Sequence, residues 1–443
     1  MSASLPVGTA IPFRTALRYW LRLGFISFGG PAGQIALMHR ELVEERRWIS
    51  EARFLHALNY CMLLPGPEAQ QLATYIGWLM HRTRGGIAAG VLFVLPSFVI
   101  LIALAWIYLR FGTVPVVNAI FAGIKPAVTA LVVHAAFRIG ARTLTNGGLW
   151  AIAVAACCAI SVLHAPFPLV VAVAAAIGAI GAFMVPTLLA PAAAHPKLLA
   201  TAPATLSDDH LLDQPHTRFR ARTFAIICIV GVLLWLLPMG LLVHWHGWHG
   251  QYAQLGWFFS KAALLTFGGA YAVLPYVYQG AVLHYGWLSA AQMMDGLAFG
   301  ESTPGPLIMV VTFVGFIAGY ESGPLAAESP FMSGALAAAV ATWFTFLPSF
   351  LFILGGGPLV ESTRGNLKFT APLTAISAAV VGVIASLALF FAEHTLLREG
   401  RIDWWAVVIA LLAFFALQRL RLNVMLVLAA AGILSVLRFY LGA

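Results

Sequence analysis

Four short breaks in the apolar sequence combine glycine, proline and hydroxyl residues in a way that could bind an anion. Two read Ser27-Phe28-Gly29-Gly30 and Thr266-Phe267-Gly268-Gly269, and two are Pro65-Gly66-Pro67 and Pro304-Gly305-Pro306. Because proline lacks an N–H and glycine frees the backbone, a helix is expected to end at each break and another to begin after it. A helix N-terminus presents unpaired N–H groups and about half a positive charge. Four such ends aimed at one place could hold an oxyanion through backbone donors, whereas the plainer alternative is that these residues only let helices kink and pack.

Ionisable residues near the breaks are the second group of candidates. Arg22 and Lys261 each lie seven residues before the first glycine of a Phe-Gly-Gly break. Charge inside a membrane is costly and usually functional, although a long side chain could instead reach the headgroups. Glu68 and Glu301 flank the Pro-Gly-Pro breaks and could carry a proton, and Lys125 either pairs with a carboxylate or faces water. The predicted anion-binding residues are Arg22, Ser27, Gly29, Gly30, Asn59, Pro65, Gly66, Glu68, Lys125, Lys261, Thr266, Gly268, Gly269, Glu301, Thr303 and Gly305.

The composition around these residues is typical of a membrane protein. Of 443 residues, 61% are hydrophobic and 9% are charged, whereas a soluble domain carries about 25% charged residues. The apolar stretches are continuous and of helix length, and they do not alternate as barrel strands do. The net charge of +9 comes from Arg and Lys in short loops, which indicates a cytoplasmic membrane face and no nucleic-acid partner. The sequence predicts an all-α polytopic protein of the bacterial inner membrane, solvated by the lipid bilayer.

The two halves of the chain repeat the same motifs. An offset of 239 residues relates both kinds of break, and also relates Trp48-Ile49-Ser50 to Trp287-Leu288-Ser289. Farther along, Leu95-Pro96-Ser97-Phe98 matches Leu347-Pro348-Ser349-Phe350 at an offset of 252, so one insertion of 13 residues separates the two alignments. The predicted units are a first repeat over 1–190, a linker with one unpaired span (223–244) over 191–250, and a second repeat over 251–443.

Nine long apolar runs and four broken segments account for most of the chain. The runs are 85–109, 114–138, 149–164, 167–190, 223–244, 331–354, 366–392, 403–418 and 423–441. The broken segments 13–45, 51–82, 252–285 and 289–320 are predicted to be re-entrant helical hairpins, because broken helices at membrane depth must be buried or line a cavity. Since the span 223–244 has no partner, the second half is expected to enter the membrane from the opposite side. This inverted repeat places the N-terminus in the cytoplasm and the C-terminus outside. With the exception of Arg398 and Arg401, it also places the Lys and Arg residues of the loops on the cytoplasmic side, as the positive-inside rule predicts.

The motif set resembles the chromate transporter family. The matching residues are Phe28-Gly29-Gly30-Pro31, Trp48-Ile49, Leu64-Pro65-Gly66-Pro67 and Phe93-Val94-Leu95-Pro96-Ser97-Phe98, with counterparts in the second half. The resemblance implies the long, two-domain form and the efflux of chromate from the cytoplasm, with sulfate as the chemical analogue. The second half departs from the pattern, because Ala270 stands where Pro31 does and Tyr271 where Ala32 does. The two halves are therefore expected to have unequal roles.

Other classes of function fit the sequence less well. An undecaprenyl-diphosphate phosphatase also has inverted repeats and re-entrant helices, but it would carry a Ser-Arg-Ser where this chain has Glu68-Ala69-Gln70. P-loop, HExxH and GxSxG motifs are absent from the sequence, so a transporter without catalytic residues or a cofactor is predicted. The acidic and histidine residues of 191–222 could form a metal site, but their spacing matches no ligand motif and favours a solvated linker. An anion channel, a transporter of sulfate or another oxyanion, a coupled proton or counter-ion, and a homodimer remain open alternatives.

Overall fold

The computed structural model describes residues 11–112, 114–184, 217, 219–267, 269–362, 370–398 and 400–441, which form sixteen α-helices. The helices before the linker are α1 Phe13–Ile26, α2 Gly30–His39, α3 Glu51–Leu63, α4 Glu68–Phe111, α5 Pro115–Thr143, α6 Gly147–Ser161 and α7 Phe167–Met184. Those after it are α8 Ala221–His246, α9 Gln251–Leu265, α10 Ala270–Tyr278, α11 Ala290–Ser302, α12 Val310–Ser322, α13 Pro330–Ser362, α14 Thr370–Leu396, α15 Trp404–Gln418 and α16 Val424–Leu441. A ribbon of two short strands, β1 Leu397–Arg398 and β2 Arg401–Ile402, joins α14 to α15.

The helix breaks lie where glycine and proline predict them. The four gaps fall at 27–29, 64–67, 266–269 and 303–306. In addition, His81 and Arg82 have non-helical backbone angles inside α4, so this helix consists of two segments, 68–80 and 83–111. The second segment contains the predicted apolar run 85–109, and the first is the returning arm of the second broken segment.

In three of the broken segments the two arms contact each other, namely α3 with α4, α9 with α10, and α11 with α12, whereas α1 of the first segment packs against α4. Tyr60 with Tyr75 and Phe299 with Phe313 join the arms of the second and fourth segments, at ring-centroid separations of 5.7 and 5.6 Å. Pairs of this kind are expected to contribute about 0.5–1.5 kcal/mol each beyond the area that they bury. The arms are shorter than a full membrane span, since a helix of 14 residues such as α1 is about 21 Å long at 1.5 Å per residue.

The repeat seen in the sequence is also present in the secondary structure. Both α2 and α10 continue into a π-helical turn, Arg40–Glu45 and Gln279–His284 respectively. After each turn the main-chain N–H of a tryptophan donates back to a carbonyl of the turn. Trp48 donates to Leu42 at 2.7 Å, and Trp287 donates to Ala281 at 2.8 Å. A serine side chain then caps the next helix in both halves. In the described residues α8 lies between the two sets of helices and has no counterpart in either.

The two halves interlock through their long helices. Helix α5 packs against α14, α15 and α16, and α14 in turn packs against α5, α6 and α7. Six helices of the described residues are long and apolar enough to cross a membrane: Glu68–Phe111, Pro115–Thr143, Ala221–His246, Pro330–Leu359, Pro372–Leu396 and Val424–Leu441. Helix α8 exposes large apolar side chains along its length, which suits contact with lipid. The chain is an all-α polytopic membrane protein.

Two contacts join segments that the predicted topology places on one side of the membrane. His81 Nε2 lies 2.8 Å from the carbonyl oxygen of Ile11, and Arg220 before α8 lines a cavity beside the same turn. The Lys and Arg residues predict that the N-terminus, the turn at 81–84 and the end of the linker face the cytoplasm. The Gln251 side chain donates to the hydroxyl of Ser322 at 2.8 Å, which joins the chain after 244–250 to the loop 321–330, two loops without Lys or Arg that are predicted to face outward. The inverted arrangement of the halves stays a prediction.

Candidate functional site

The four helix breaks come together through two hydrogen bonds that cross between the halves. The N–H of Gly66 donates to the carbonyl of Thr266 at 2.7 Å, and the N–H of Gly305 donates to the carbonyl of Ser27 at 2.8 Å. The offset of 239 residues relates the two donors to each other and the two acceptors to each other. We call this pair of equivalent bonds the crossing. It places backbone from all four breaks in one region.

The backbone at the crossing requires glycine. Gly66 and Gly305 have φ angles of 129° and 105°, which a residue with a side chain rarely adopts. A Cβ on Gly305 would lie 2.7 Å from the Cβ of Ser97, and a Cβ on Gly66 would overlap the hydroxyl of Ser349. Ser97 and Ser349 are themselves related by the second repeat offset. Each Pro-Gly-Pro break is thus closed against the serine of a Leu-Pro-Ser-Phe segment.

The hydroxyl residues before each Phe-Gly-Gly break terminate the helices that carry them. The Ser27 hydroxyl donates to the carbonyl of Leu23, and the Thr266 hydroxyl donates to the carbonyl of Ala262, both at 2.6 Å. These bonds satisfy the side-chain donors within their own helices, so the main-chain carbonyls of Ser27 and Thr266 are left to accept from the other half. Both residues are fully buried.

Glutamine side chains line the crossing and leave buried polar atoms without partners. The Gln34 amide donates to the carbonyls of both Gly305 and Ser27, and the Gln71 amide donates to the carbonyl of Pro65 at 2.8 Å. Within the described residues the amide oxygens of Gln34 and Gln71 and the hydroxyl of Ser97 have no hydrogen-bond partner. Buried polar atoms are normally paired with protein or water, so this group is suited to receive a polar ligand.

Two carboxylates approach the crossing from different halves. A carboxylate oxygen of Glu68 lies 3.7 Å from the position that a Cβ would take on Gly269. Glu301 is buried and accepts a short hydrogen bond from the hydroxyl of Tyr271, with Arg138 of α5 within electrostatic range of both. In the first half Ala32 occupies the position of Tyr271, so no tyrosine can make the equivalent hydrogen bond there. The Tyr271–Glu301 pair is therefore a structural difference between the halves.

The three basic residues predicted to bind the anion lie away from the crossing. The side chain of Arg22 is 61% exposed and lies 3.8 Å from Glu41. Lys125 Nζ is 3.6 Å from a carboxylate oxygen of Asp295. Lys261 lines an open cavity beside α9.

The remaining predicted residues are divided between the crossing and other places. Gly29 and Gly30 form the first break with φ angles of 90° and 68°. The Thr303 hydroxyl is buried beside the crossing and donates to the carbonyl of Phe299 at 2.8 Å. Asn59 is exposed on α3. Gly268 and residues 191–216, which include the acidic and histidine residues Asp208, Asp209, His210, Asp213 and His216, lie outside the described residues.

Several residues at the site were not identified from the sequence. Gln34 and Arg138 have no repeat partner of the same type, so the internal repeat gave no signal for them. The recurrence of Ser97 and Ser349 at equivalent positions of two identical Leu-Pro-Ser-Phe motifs could have identified both as site residues.

Comparison with known proteins agrees with the repeat and with the motifs. The family model described as "Chromate transporter" matches two stretches, residues 15–179 and 253–436. The unmatched interval contains the linker and α8, which fits the absence of a counterpart for that helix. No solved structure matches the chain.

Curated relatives match over nearly the whole chain. A protein of Pseudomonas aeruginosa called "Chromate transport protein" is 35% identical over 424 residues, which cover 95% of this chain and 91% of the relative. A protein of the same name from Cupriavidus metallidurans is 28% identical and covers 99% of this chain and 96% of the relative. A "Probable chromate transport protein" of Synechococcus elongatus is 28% identical over 88% of both chains. The chain is therefore a multi-pass inner-membrane ion transporter that belongs to the chromate transporter family.

Proposed function

We propose that this protein is a secondary transporter that exports a tetrahedral oxyanion, chromate foremost, and that the anion passes through the crossing. The observation that carries the proposal is the pair of equivalent hydrogen bonds from Gly66 to Thr266 and from Gly305 to Ser27. A site built from one donor of each half can be exposed to either side of the membrane when the halves move relative to each other. Secondary transporters commonly bind their substrate at the interface of inverted repeats, which is where these bonds lie.

The anion would replace the carbonyl acceptors of the crossing. In this structure the N–H groups of Gly66 and Gly305 are occupied by carbonyls of the opposite half. When these bonds open, the same N–H groups can donate to an oxyanion, so no buried donor loses its partner during the exchange. The starts of α2, α4 and α10 add unpaired N–H groups and positive partial charge. Oxyanion recognition by backbone donors leaves little fixed charge to trap the ligand.

The carboxylates would couple transport to protons. Glu68 and Glu301 repel a bound dianion when they are ionised and cease to do so when they are protonated. A proton carried by either residue would therefore accompany the anion or exchange with it, depending on which state opens to which side. The Tyr271 hydroxyl donates to the Glu301 carboxylate, a hydrogen bond that Ala32 cannot make at the equivalent position of the first half.

Chromate export is supported by the names of the relatives, and sulfate is its closest chemical analogue because both are tetrahedral dianions. The test is the uptake of radiolabelled chromate and sulfate into everted membrane vesicles, with and without an imposed proton gradient. We expect chromate accumulation that collapses when the gradient is removed, with sulfate as a competitor. Equal uptake by vesicles with and without the protein would refute chromate export, and uptake indifferent to the gradient would refute proton coupling.

A further inference from the structure

A large open cavity of about 910 Å³ lies beside α9, away from the crossing. Its wall comes from the ends of α6 and α14, the loop between α6 and α7, helix α9, and helix α10 with its π-turn. The titratable residues that face it are His164, Lys261, Tyr276, Tyr278, His284, Tyr285, Glu393 and His394. The predicted topology places the ends of α6 and α14 and the π-turn on the outer face. We call this cavity the outer vestibule.

Lys261 is a partly buried residue in the wall of the vestibule. It precedes Thr266 of the crossing by five residues, which is about 7.5 Å along a helix. Its Nζ lies 5.5 Å from the centre of the Trp257 ring, and no ion pair of Lys261 occurs among the described residues. A cation that is held near the middle of a membrane protein without a carboxylate is available for an anionic ligand.

The same position in the first half carries a cation beside a carboxylate. Arg22 corresponds to Lys261 and lies 3.8 Å from the carboxylate of Glu41, which also lies 3.6 Å from Arg46. The residue that corresponds to Glu41 is Gly280, which lines the outer vestibule instead of filling it. The second half therefore keeps an open space and an unpaired cation where the first half has an ion pair.

The floor of the vestibule is held rigidly by Gln279. Its side-chain oxygen accepts from the N–H of Phe167 at 3.0 Å, and its amide nitrogen donates to the carbonyl of Ala165 at 3.3 Å. These bonds fix the loop that carries His164 against the π-turn that carries His284. The hydroxyl of Tyr278, a further wall residue, is buried and unpaired within the described residues, so one more donor is available there.

We propose that the outer vestibule is a second binding site for a doubly charged tetrahedral oxyanion, with Lys261 as its principal cation and the three histidines at its mouth. The identity of the ligand rests on the proposed transport function, whereas the site itself rests on the cavity and its charges. Among the described lining residues Glu393 is the only carboxylate, and the histidine rings supply N–H donors to an oxyanion.

The site can be tested by equilibrium binding of sodium chromate and sodium sulfate to the whole protein in nanodiscs of zwitterionic lipid. We expect Lys261→Gln to weaken binding about tenfold, in the range of the local concentration effects that such fields produce. Arg110→Gln serves as the matched control, because Arg110 is an exposed cation near the predicted outer end of α4 and does not line the vestibule. The Arg110→Gln variant is expected to bind chromate and sulfate with the affinity of the wild type.

The histidines are tested separately by replacing His164, His284 and His394 together with phenylalanine, which removes the ring N–H donors. The triple variant is expected to bind chromate more weakly than the wild type. An unchanged affinity of Lys261→Gln, or an unchanged affinity of the triple variant, overturns the proposal. Loss of a co-purified anionic lipid from Lys261→Gln without any change in chromate binding would assign the cavity to a lipid headgroup, which also overturns it. Tight, Lys261-dependent binding by a protein that transports no oxyanion would instead refute the proposed function and leave the site standing.

Discussion

Replacing either crossing glycine with alanine should impair transport strongly without preventing membrane insertion. At Gly66 and Gly305 the φ angles are 129° and 105°, which are unfavourable for alanine. The backbone strain of holding alanine at such an angle costs about 1–3 kcal/mol. The added Cβ would also press on Ser349 or on Ser97, and overpacking of this kind costs about 1–3 kcal/mol. Each substitution therefore destabilises the crossed state by about 2–6 kcal/mol, and since each 1.4 kcal/mol is about tenfold in population, we expect transport to fall by at least tenfold.

The assay is chromate uptake into everted vesicles, normalised to the amount of protein in the membrane by immunoblot. Gly240→Ala is the matched control, because Gly240 lies within α8, has an ordinary φ angle and has open space around its Cβ position. Adding Ser349→Ala to Gly66→Ala removes the overlapping hydroxyl and should restore part of the rate, although the contact with the Gln71 amide and the backbone strain remain. Wild-type uptake by both single variants at normal membrane levels would show that the crossing does not need glycine and would refute the reasoning.

Three further predictions test other parts of the molecule. A reporter fused within 195–215 and one fused at the C-terminus should report opposite sides of the membrane, and reports from the same side would exclude the inverted arrangement. Lys261→Gln should weaken the apparent affinity for chromate in flux assays, whereas Arg22→Gln should change it little because Arg22 is exposed, lies beside Glu41 and is away from the crossing. An unchanged affinity in both variants would make both residues headgroup anchors. Lys125→Met should lower the thermal stability of the purified protein, because the Asp295 carboxylate is only 2% exposed and an unpaired buried charge costs about 3–5 kcal/mol. Adding Asp295→Asn removes that charge and should restore part of the lost stability. A double variant no more stable than Lys125→Met would contradict this explanation.

The helix breaks could be predicted because glycine and proline act on the backbone locally. The gap at 64–67 follows from proline lacking a donor and from Gly66 adopting a positive φ angle, and the internal repeat then identifies its counterpart in the second half. The hydrogen bond from Gly66 to Thr266 could not be predicted in the same way. It joins residues from different halves, and its register depends on how whole hairpins pack rather than on any local preference.

The placement of the charged residues was harder to predict for a similar reason. Lys125 was expected to pair with a carboxylate or to face water, but its partner Asp295 lies on a helix of the other half. The predicted apolar run 114–138 ends at Arg138, so the sequence predicts that the span ends there at the cytoplasmic face. Helix α5 continues to Thr143, so Arg138 is a helical residue within electrostatic range of Glu301. Hydropathy marks the end of an apolar run and does not mark the end of the helix.

Counterflow in liposomes that contain the purified protein tests the central claim most directly. Liposomes are loaded with unlabelled chromate and diluted into a trace of labelled chromate, with the membrane potential clamped. A transporter that exposes one site alternately to each side should accumulate label transiently above its equilibrium level, and Gly66→Ala with Gly305→Ala should abolish this overshoot. Label that only rises to equilibrium would identify an anion channel, and an overshoot that persists in the double glycine variant would contradict passage of the anion through the crossing.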